Sequence, residues 1–365
     1  MKTVLRFAVV ALLLALVAIT LVACGKPAAD QNASGDGSAV KGVYQNLDPN
    51  REYYLCSSHN AHPYFKDSHV GLRYAATYFN VKITAVGPDG WDTAAQAQAL
   101  EQTLAKKPAG IIIRGYDSAS VDASLKAQEA GIPIVCTEAK PTEGRGTTVP
   151  GALTFIGLDN FQCGADTAAE LVKRAGDTGV VGIQGNWGAS NTDAKLAGIK
   201  DYFANVATGW TICGEADDKA TTNDAIVAAK SLINGYPEMT AILGIDSSSG
   251  SGIANAMSEL NIEAGKYKVV VHDREPATLE FIQKGYIDAT LINKTAGQEF
   301  VAMLVMEDWN NGGLANIPIS SDNKAAGVNP VPDNMINTAV VIDKTNVDYF
   351  LADKLPVNET SLYNR

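Results

Sequence analysis

Residues 110–137, which read GIIIRGYDSASVDASLKAQEAGIPIVCT, carry the pattern that decides the fold. Two β-branched runs, 110–114 and 132–137, flank an alanine-rich amphipathic stretch at 118–130. Continuous apolar runs such as 111–113 are typical of strands that are covered on both faces of a sheet. The order strand, helix, strand predicts a βαβ unit with parallel strands and a right-handed crossover.

The same alternation continues on both sides of this unit. Eight further strands are predicted at 53–57, 81–86, 153–157, 180–184, 210–214, 241–245, 268–272 and 289–292. Eight further helices are predicted at 67–79, 92–105, 160–174, 192–203, 222–233, 248–260, 276–284 and 296–310. Ten strands are too many for one open twisted sheet, so we predict an α/β fold with about five strands in each of two parallel sheets. Residues 312–337, rich in Gly, Pro, Asn and Ser, are predicted to be a loop-dominated return before 338–342.

The composition is that of a folded, acidic protein. The chain has 365 residues, which predicts about two domains, and 46% of them are apolar while 19% are charged. This mixture is too apolar and too weakly charged for a disordered chain. The formal net charge of −11, from 29 basic and 40 acidic residues, argues against a nucleic-acid partner, which would require a basic surface.

Residues 1–23 are predicted to be a lipoprotein signal peptide, because two basic residues precede an apolar run at 7–23. The sequence LVACG at 21–25 resembles the lipobox of bacterial lipoproteins, in which the peptide is cut before the cysteine and the thiol receives a diacylglyceryl group. Cys24 would then anchor the protein to a membrane, on the extracytoplasmic side. Residues 24–50 contain few apolar side chains and are predicted to be a flexible tether. The alternative is a chance cysteine behind an ordinary secretory signal.

The remaining cysteines and the histidines form no recognisable metal or redox motif. The four later cysteines are Cys56, Cys136, Cys163 and Cys213; they show no CxxC spacing, and the compartment would permit disulfides. We predict buried free thiols for Cys56, Cys136 and Cys213, each of which lies inside or at the end of an apolar run. His59 and His62 share one loop, so a zinc site there is the alternative to polar ligand contacts. No histidine-rich tract accompanies them, and we predict neither a bound metal nor a cofactor.

Polar and aromatic residues follow one predicted strand after another. Ligands of open parallel sheets bind beyond the carboxyl ends of the strands, so these residues are the candidates for ligand binding. They are Ser58, His59, Asn60, His62, Tyr64, Phe65, Asp117, Glu138, Trp187, Asn191, Asp193, Asp246, Asp273 and Asn293.

These residue types indicate a small, polar ligand with many hydrogen-bond donors. Carboxylates accept hydrogen bonds from hydroxyls or amines, and aromatic rings offer faces to the C–H side of a sugar ring. The sequence contains no cluster of Lys and Arg residues that would indicate a phosphorylated ligand. Structural alternatives remain for several of them: Asp117, Asp246 and Asp273 could cap helices, and Tyr64 and Phe65 could form a hydrophobic staple.

No common enzyme motif is present: GxxxxGK[ST], HExxH and GxSxG are all missing from the sequence. We therefore predict a binding protein and no catalysis. An extracellular hydrolase or sugar-modifying enzyme on the same scaffold remains as an alternative, because a fold does not determine a function.

Residues 50–312 resemble the type I periplasmic solute-binding proteins of the ribose-binding cluster, which are the capture subunits of ABC sugar importers. HPYF at 62–65 is similar to the family's Asn-Pro-Phe-Phe segment, and GIPIV at 131–135 resembles its Ile-Pro-Val strand. IGLDN at 156–160 resembles the segment that enters the second domain, and VVHD at 270–273 is similar to Val-Gly-Phe-Asp.

The resemblance implies two Rossmann-like lobes joined by a three-segment hinge that close on a ligand. The N-terminal lobe is expected at 51–157 plus 294–337, and the C-terminal lobe at 158–293 plus 338–365. By position, the ligand contacts from the first lobe would be Ser58, His62, Tyr64 and Phe65. Those from the second lobe would be Asp193, Asp246 and Asp273, with Asn293 in the hinge.

This chain departs from the family at three positions. Glu138 stands where the family often has Asp, Ala139 where sugar binders often have Arg, and Asp193 in another Arg position. The predicted site is therefore more acidic than a ribose site, which favours another sugar, a polyol or an amine-bearing ligand. The C-terminal stretch 316–365 is similar to the autoinducer-2 and rhamnose receptor branch.

We predict from these features a monomeric, lipid-anchored binding protein that captures a sugar or polyol and delivers it to the permease of an ABC importer. The alternatives are a ligand-sensing receptor, of the autoinducer-2 or chemotaxis kind, and a binder of a nucleoside or an amine-bearing solute. A transcription repressor would share the lobes, but the export signal and the lack of a DNA-binding head argue against it.

Overall fold

The computed structural model describes residues 48–115, 117–140 and 149–351. The signal peptide, Cys24 and nearly all of the predicted tether lie outside these residues. The described strands are, in chain order, β1 (Glu52–Ser57), β2 (Lys82–Val86), β3 (Gly110–Arg114), β4 (Ile134–Thr137), β5 (Thr154–Leu158), β6 (Gly179–Gly185), β7 (Trp210–Asp217), β8 (Ala241–Gly244), β9 (Lys268–His272), β10 (Ala289–Ile292), β11 (Asn334–Asn337) and β12 (Val340–Asp343). The described helices are α1 (Lys66–Phe79), α2 (Thr93–Leu104), α3 (Val121–Glu129), α4 (Asn160–Ala175), α5 (Ser190–Asn205), α6 (Thr222–Gly235), α7 (Ser249–Glu259), α8 (Pro276–Lys284) and α9 (Thr295–Asn310).

The first sheet has the strand order β11-β5-β4-β3-β1-β2, and all of its strands are parallel. Alternate side chains of β3 point to opposite faces, and both faces are covered. Ile112 packs with α1 and α9, whereas Ile111 and Ile113 pack with α2 and α3. The predicted βαβ unit at 110–137 is therefore confirmed, and its two strands, β3 and β4, are adjacent.

The second sheet has the strand order β12-β10-β9-β8-β6-β7. Its strands are parallel except for β12, which runs antiparallel to β10 at the edge. Helices α4 and α5 cover one face, where Leu171 and Phe203 are buried, and α6, α7 and α8 cover the other. We call each sheet with its covering helices a lobe: α1, α2, α3 and α9 belong to the first lobe, and α4 to α8 to the second.

The chain passes between the lobes three times. It leaves β5 at Leu158 for α4, leaves β10 at Ile292 for α9, and leaves β11 at Asn337 for β12. The predicted α/β fold of two lobes joined by a three-segment hinge is confirmed. None of the described helices combines the length and the apolarity that crossing a bilayer would require.

The sequence prediction was wrong about the end of the chain. Residues 334–337, expected to be loop, form β11 and pair in parallel with β5. Asn-Met-Ile-Asn has only two apolar residues and no alternation that marks a strand, so its conformation depends on the open edge of β5. Each described sheet thus has six strands rather than about five, and β12 is an exception to the predicted parallel pairing.

Candidate functional site

A cavity of about 520 Å³ lies between the lobes, at the carboxyl ends of strands from both sheets. The first lobe contributes His59, His62, Tyr64, Phe65, Trp91, Gly115, Glu138 and Ala139. The second lobe contributes Asn186, Trp187, Gly188, Ala189, Asn191, Thr192, Lys195, Lys219, Ala220, Thr221, Ile245, Asp246, Ser247 and Asp273. Nine of the fourteen predicted ligand-binding residues line this cavity: His59, His62, Tyr64, Phe65, Glu138, Trp187, Asn191, Asp246 and Asp273.

The aromatic wall of the first lobe comes from a single helical turn after β1. Residues 63–65 form this turn, and the rings of Tyr64 and Phe65 meet edge to face with centroids 5.0 Å apart. The guanidinium of Arg114 lies 3.9 Å from the Phe65 ring centroid on the side away from solvent. Trp187 lines the cavity from the second lobe, so aromatic rings face it from both sides.

A hydrogen-bonded group of three predicted residues crosses from the first lobe to the hinge. The Tyr64 hydroxyl donates to one carboxylate oxygen of Glu138, and the Asn293 amide donates to the other at 3.2 Å. Burial raises the pKa of the Glu138 carboxyl, and the hydrogen bond from Tyr64 opposes that shift. Glu138 has a left-handed backbone with φ of 75°, a conformation that non-glycine residues rarely adopt. The surrounding bonds hold this strained residue at the cavity wall.

Asp273 differs from Glu138 and Asp246, the other acidic residues of the cavity, because its carboxylate has no hydrogen bond to any described residue. It directly follows β9, is 9% exposed, and has a left-handed φ of 69°. Its main chain is held at both ends: its amide donates to the Leu291 carbonyl at 3.0 Å, and its carbonyl accepts from the Thr290 hydroxyl at 2.6 Å. Burial raises the pKa of Asp273 to about 7, and the charge of Lys195 opposes the shift. The carboxylate is thus buried, fixed in place and open to a ligand.

Lys195 also lines the cavity, and the sequence analysis missed it. It lies on α5, is 7% exposed, and forms no ion pair or hydrogen bond with the described residues. Its charge lowers the pKa of both Asp273 and Glu138. Helical periodicity was the signal that could have found it, because Lys195 lies one turn beyond Asn191 on the same face of the helix.

Asn60 and Asp117 are not at the cavity. The Asn60 amide donates to the carbonyls of Val86 and Gly87, both at 3.1 Å, and so joins the loops after β1 and β2. Asp117 accepts from the Ala119 amide at 2.9 Å and caps a one-turn helix. Asp117 therefore forms the helix cap that was the structural alternative to ligand binding.

Three other predicted residues also lie away from the cavity wall. Ser58 is buried, and its carbonyl accepts from the Asp92 amide at 3.0 Å. Asp193 is exposed and accepts from the Gly188 amide at 3.1 Å, which orders the turn before α5. Asn293 faces a separate space of about 620 Å³ and bonds to Glu138 and Tyr64 of the cavity wall.

A buried polar layer supports the aromatic wall from beneath. Arg114, at the end of β3, is 1% exposed and donates to the hydroxyls of Ser57 at 2.8 Å and Ser68 at 2.9 Å. Ser68 in turn donates to Glu299 of α9 at 2.6 Å. Burial lowers the pKa of Arg114 to about 10 and raises that of Glu299 to about 7. The layer joins β3, α1 and α9 under Phe65 and so fixes its ring.

The histidines and cysteines have structural contacts. His272 is buried, and its Nε2 lies 2.8 Å from the Thr167 hydroxyl, while the rings of His59 and His62 meet edge to face. Across the described ranges, no group of three or more His, Cys, Asp or Glu side chains is arranged to hold a metal ion. Cys56 and Cys136 are buried as predicted, and Cys163 is buried as well. Cys213, expected to be buried, is half-buried because it lies on the edge strand β7, and the described residues contain no disulfide.

Comparison with solved structures finds the same architecture over most of the chain. The arabinose-binding protein AraP from Geobacillus stearothermophilus is 25% identical, with a TM-score of 0.71 over 83% of this chain and 100% of its own. A sugar-binding protein of a sugar ABC transporter from Bacillus halodurans is 23% identical, with a TM-score of 0.74 over 82% and 100%. A solute-binding protein from Burkholderia graminis, in complex with D-arabinose, is 21% identical, with a TM-score of 0.72 over 83% and 99%.

The family comparison covers more than two thirds of the chain. The model of the periplasmic binding protein domain matches residues 53–312, whereas a comparison with the curated proteins finds no match. Apart from Glu52, the first residue of β1, the matched range includes β1 through α9 and every residue named above as lining the cavity. Its members bind solutes and are not enzymes, which agrees with the prediction from the missing motifs. The chain belongs to the periplasmic binding protein family and has the type I fold.

Proposed function

We propose that this protein binds a neutral sugar or polyol in the cavity between its lobes and delivers it to the permease of an ABC importer. The buried carboxylate of Asp273, which faces the cavity with no partner among the described residues, is the observation that supports this most. A ligand hydroxyl that donates to this carboxylate forms a charge-assisted hydrogen bond, which contributes about 1.5–3 kcal/mol to affinity.

The composition of the cavity fits a ligand with many hydroxyl groups. The three carboxylates of Glu138, Asp246 and Asp273 can accept hydrogen bonds from ligand hydroxyls. The Lys195 ammonium can donate hydrogen bonds to the oxygen atoms of those hydroxyls. The aromatic rings of Phe65 and Trp187 offer apolar faces for the C–H bonds of a sugar ring. The resemblance to AraP, an arabinose-binding protein, supports the same ligand class.

Binding between two lobes gives a mechanism for signalling that the ligand is present. A ligand that contacts both lobes binds the closed form more tightly than the open form, and it shifts the equilibrium by that difference. The two lobes that would close on the ligand are residues 51–157 together with 294–337, and residues 158–293 together with 338–365. The closed form would then be the one that a permease recognises.

The location that fits this function is the extracytoplasmic face of a membrane. We propose that cleavage before Cys24 and lipidation of its thiol anchor the protein there, with 24–50 as the tether. Mass spectrometry of the protein from expressing cells tests this directly. An N-terminal Cys24 that carries a diacylglyceryl group supports the anchor, and an unmodified Cys24 contradicts it.

Thermal-shift screening of the full chain in detergent tests the ligand class. The panel contains monosaccharides, polyols, nucleosides, amino acids and divalent metals, each at millimolar concentration. A ligand at 100 times its Kd stabilises the folded state by about 2.7 kcal/mol, which raises the melting temperature by several degrees. A shift with one sugar or polyol supports the proposal, whereas shifts with nucleosides, amino acids or metals alone contradict it.

A matched pair of variants locates the binding. Asp273→Asn removes a carboxylate from the cavity, and Asp193→Asn removes one that lies outside it on the same lobe. We expect the ligand-induced shift to disappear in Asp273→Asn and to persist in Asp193→Asn. Equal shifts in both variants would place the ligand elsewhere.

A further inference from the structure

An ion pair joins the two lobes outside the ligand cavity. Arg274 Nη2 lies 2.5 Å from one carboxylate oxygen of Asp67, and Arg274 Nε lies 2.8 Å from the other. Asp67 is in the first turn of α1, in the first lobe, and Arg274 follows β9 in the second. This two-point geometry is the favourable one for an arginine and a carboxylate.

The pair is separated from the ligand cavity by two of its wall residues. Neither Asp67 nor Arg274 lines the cavity of about 520 Å³. Both line the separate space of about 620 Å³, and Tyr64 and Asp273 border both spaces. A ligand in the cavity therefore meets Tyr64 and Asp273, and the ion pair lies behind them.

The ion pair is nevertheless joined by the backbone to the residues that face the ligand. Arg274 is the residue after Asp273, and Asp67 is two residues beyond Phe65. When the side chains of Asp67 and Arg274 meet, they fix the distance between the aromatic turn of the first lobe, at residues 63–65, and the Asp273 carboxylate of the second lobe. This separation is the one across which a ligand must make its contacts.

Arg274 also separates acidic groups that would repel one another. Asp67 of the first lobe raises the pKa of both Asp273 and Glu275 of the second, so its charge acts on both of them. One Glu275 carboxylate oxygen is buried without a hydrogen-bond partner. Removing Arg274 would leave three carboxyl groups facing each other across the lobes, whereas removing Asp67 would also remove one of the repelling charges.

We infer that Asp67 and Arg274 are positioning residues for ligand binding, which form an interlobe latch that stabilises the closed form without touching the ligand. The inference rests on the proposed capture of a ligand between the lobes. Any interaction made only in the closed form raises the affinity of a ligand that binds this form. Because the side chains are 24% and 25% exposed, the pair is partly screened by solvent, and its contribution is modest.

A double-mutant cycle on the full chain in detergent tests the latch. The variants are Arg274→Ala, Asp67→Ala and the double variant, and the probe is the sugar or polyol that gives the largest thermal shift. We expect Arg274→Ala to raise Kd about fivefold, mainly through faster dissociation, and Asp67→Ala to raise it less. The double variant should be no worse than Arg274→Ala, because the second change removes an interaction that is already lost.

Lys284→Ala is the matched control. Lys284 pairs with Glu280 at 3.4 Å within α8, so this variant removes a cation of the second lobe without removing a contact between lobes. A Kd for Arg274→Ala within twofold of that for Lys284→Ala would overturn the latch. Additive effects of the two latch substitutions would overturn it as well. Melting temperatures within a few degrees of wild type show that the variants are folded.

Acrylamide quenching of tryptophan fluorescence provides a test that needs no ligand. Trp187 lines the cavity, and opening of the lobes exposes it to the quencher. We expect stronger quenching in ligand-free Arg274→Ala than in wild type or Lys284→Ala, and equal quenching in all three contradicts the latch. If no sugar or polyol binds wild type, the proposed function fails, while the quenching result still decides whether the pair holds the lobes together.

Discussion

Asp117 and Asp273 follow buried strands of the two sheets, yet their carboxylates have different surroundings. Asp117, just beyond β3, accepts from the Ala119 amide and caps the helical turn after it. Asp273, just beyond β9, has no hydrogen-bond partner among the described residues, and its left-handed main chain is held by Leu291 and Thr290 of β10. The comparison teaches that a carboxylate after a strand stays available to a ligand when contacts with a neighbouring strand hold its backbone in a conformation that forms no cap.

The largest expected effect comes from neutralising the two carboxylates in parallel. Asp273→Asn removes charge-assisted hydrogen bonds to the ligand, so affinity should fall by roughly 100-fold. Asp117→Asn keeps a side-chain oxygen that caps the turn, so affinity and stability should stay at wild-type values. Isothermal titration calorimetry with the identified sugar or polyol measures both, and similar Kd values for the two variants would refute the contrast.

The next effect concerns Lys195, the unpartnered cation that shares the cavity with Asp273. Lys195→Met keeps most of the side-chain volume and removes the charge, so affinity should fall about tenfold. Since Lys195 forms no bond to a described residue, the ligand-free melting temperature should change little. Lys200→Met is the control for affinity, because Lys200 lies on the exposed side of the same helix and pairs with Glu215 at 2.7 Å, outside the cavity. A loss of stability without a loss of affinity would assign Lys195 a structural role.

A smaller effect is expected from pH. Burial raises the pKa of Asp273 from 3.8 to about 7, so the protonated carboxyl favours the folded state. That stabilisation is fully present below pH 4 and is lost as the pH rises through 7. Asp273→Asn should therefore flatten part of the decrease in melting temperature between pH 4 and pH 7. Ligand affinity should increase from pH 6 to pH 8 in wild type, because hydroxyls donate to the ionised carboxylate, and an affinity independent of pH would contradict this.

The smallest effect is expected where the capping bond alone is lost. Asp117→Ala removes the acceptor for the Ala119 amide and should cost about 1 kcal/mol of unfolding free energy. Its ligand affinity should equal that of wild type, because Asp117 is not at the cavity. Chemical denaturation and calorimetry measure the two quantities. A tenfold loss of affinity would show that the loop after β3 contacts the ligand.

Most of the helices and strands could be predicted from local patterns. Neither β11 nor the position of Lys195 at the cavity could be predicted in this way. Buried strands such as β3 and β9 consist of β-branched runs whose character does not depend on their neighbours. β11 has no such run, and it becomes a strand because β5 offers it unpaired backbone groups. Lys195 resembles any surface lysine of an amphipathic helix until α5 is placed with its first turns against the cavity.

The ion pair of Asp67 and Arg274 illustrates the same division for contacts between the lobes. The two residues are 207 positions apart, and nothing in either local sequence points to the other. Their meeting requires that the chain pass from the first lobe to the second after β5 and that the ends of β1 and β9 face one cleft. No periodicity within a single element carries that information.

The amino-acid sequence by itself determined the α/β class, the βαβ repeat and the acidic and aromatic character of the strand ends. These properties arise from side-chain periodicity and residue type, which act over a few neighbouring residues. The tertiary structure alone decided which polar groups bond to nearby amides and which remain open to the cavity. Asp117 bonds to an amide two residues on, whereas the left-handed main chain of Asp273 is held by Leu291 and Thr290 of β10, and this contact with another strand separates Asp273 from Asp117.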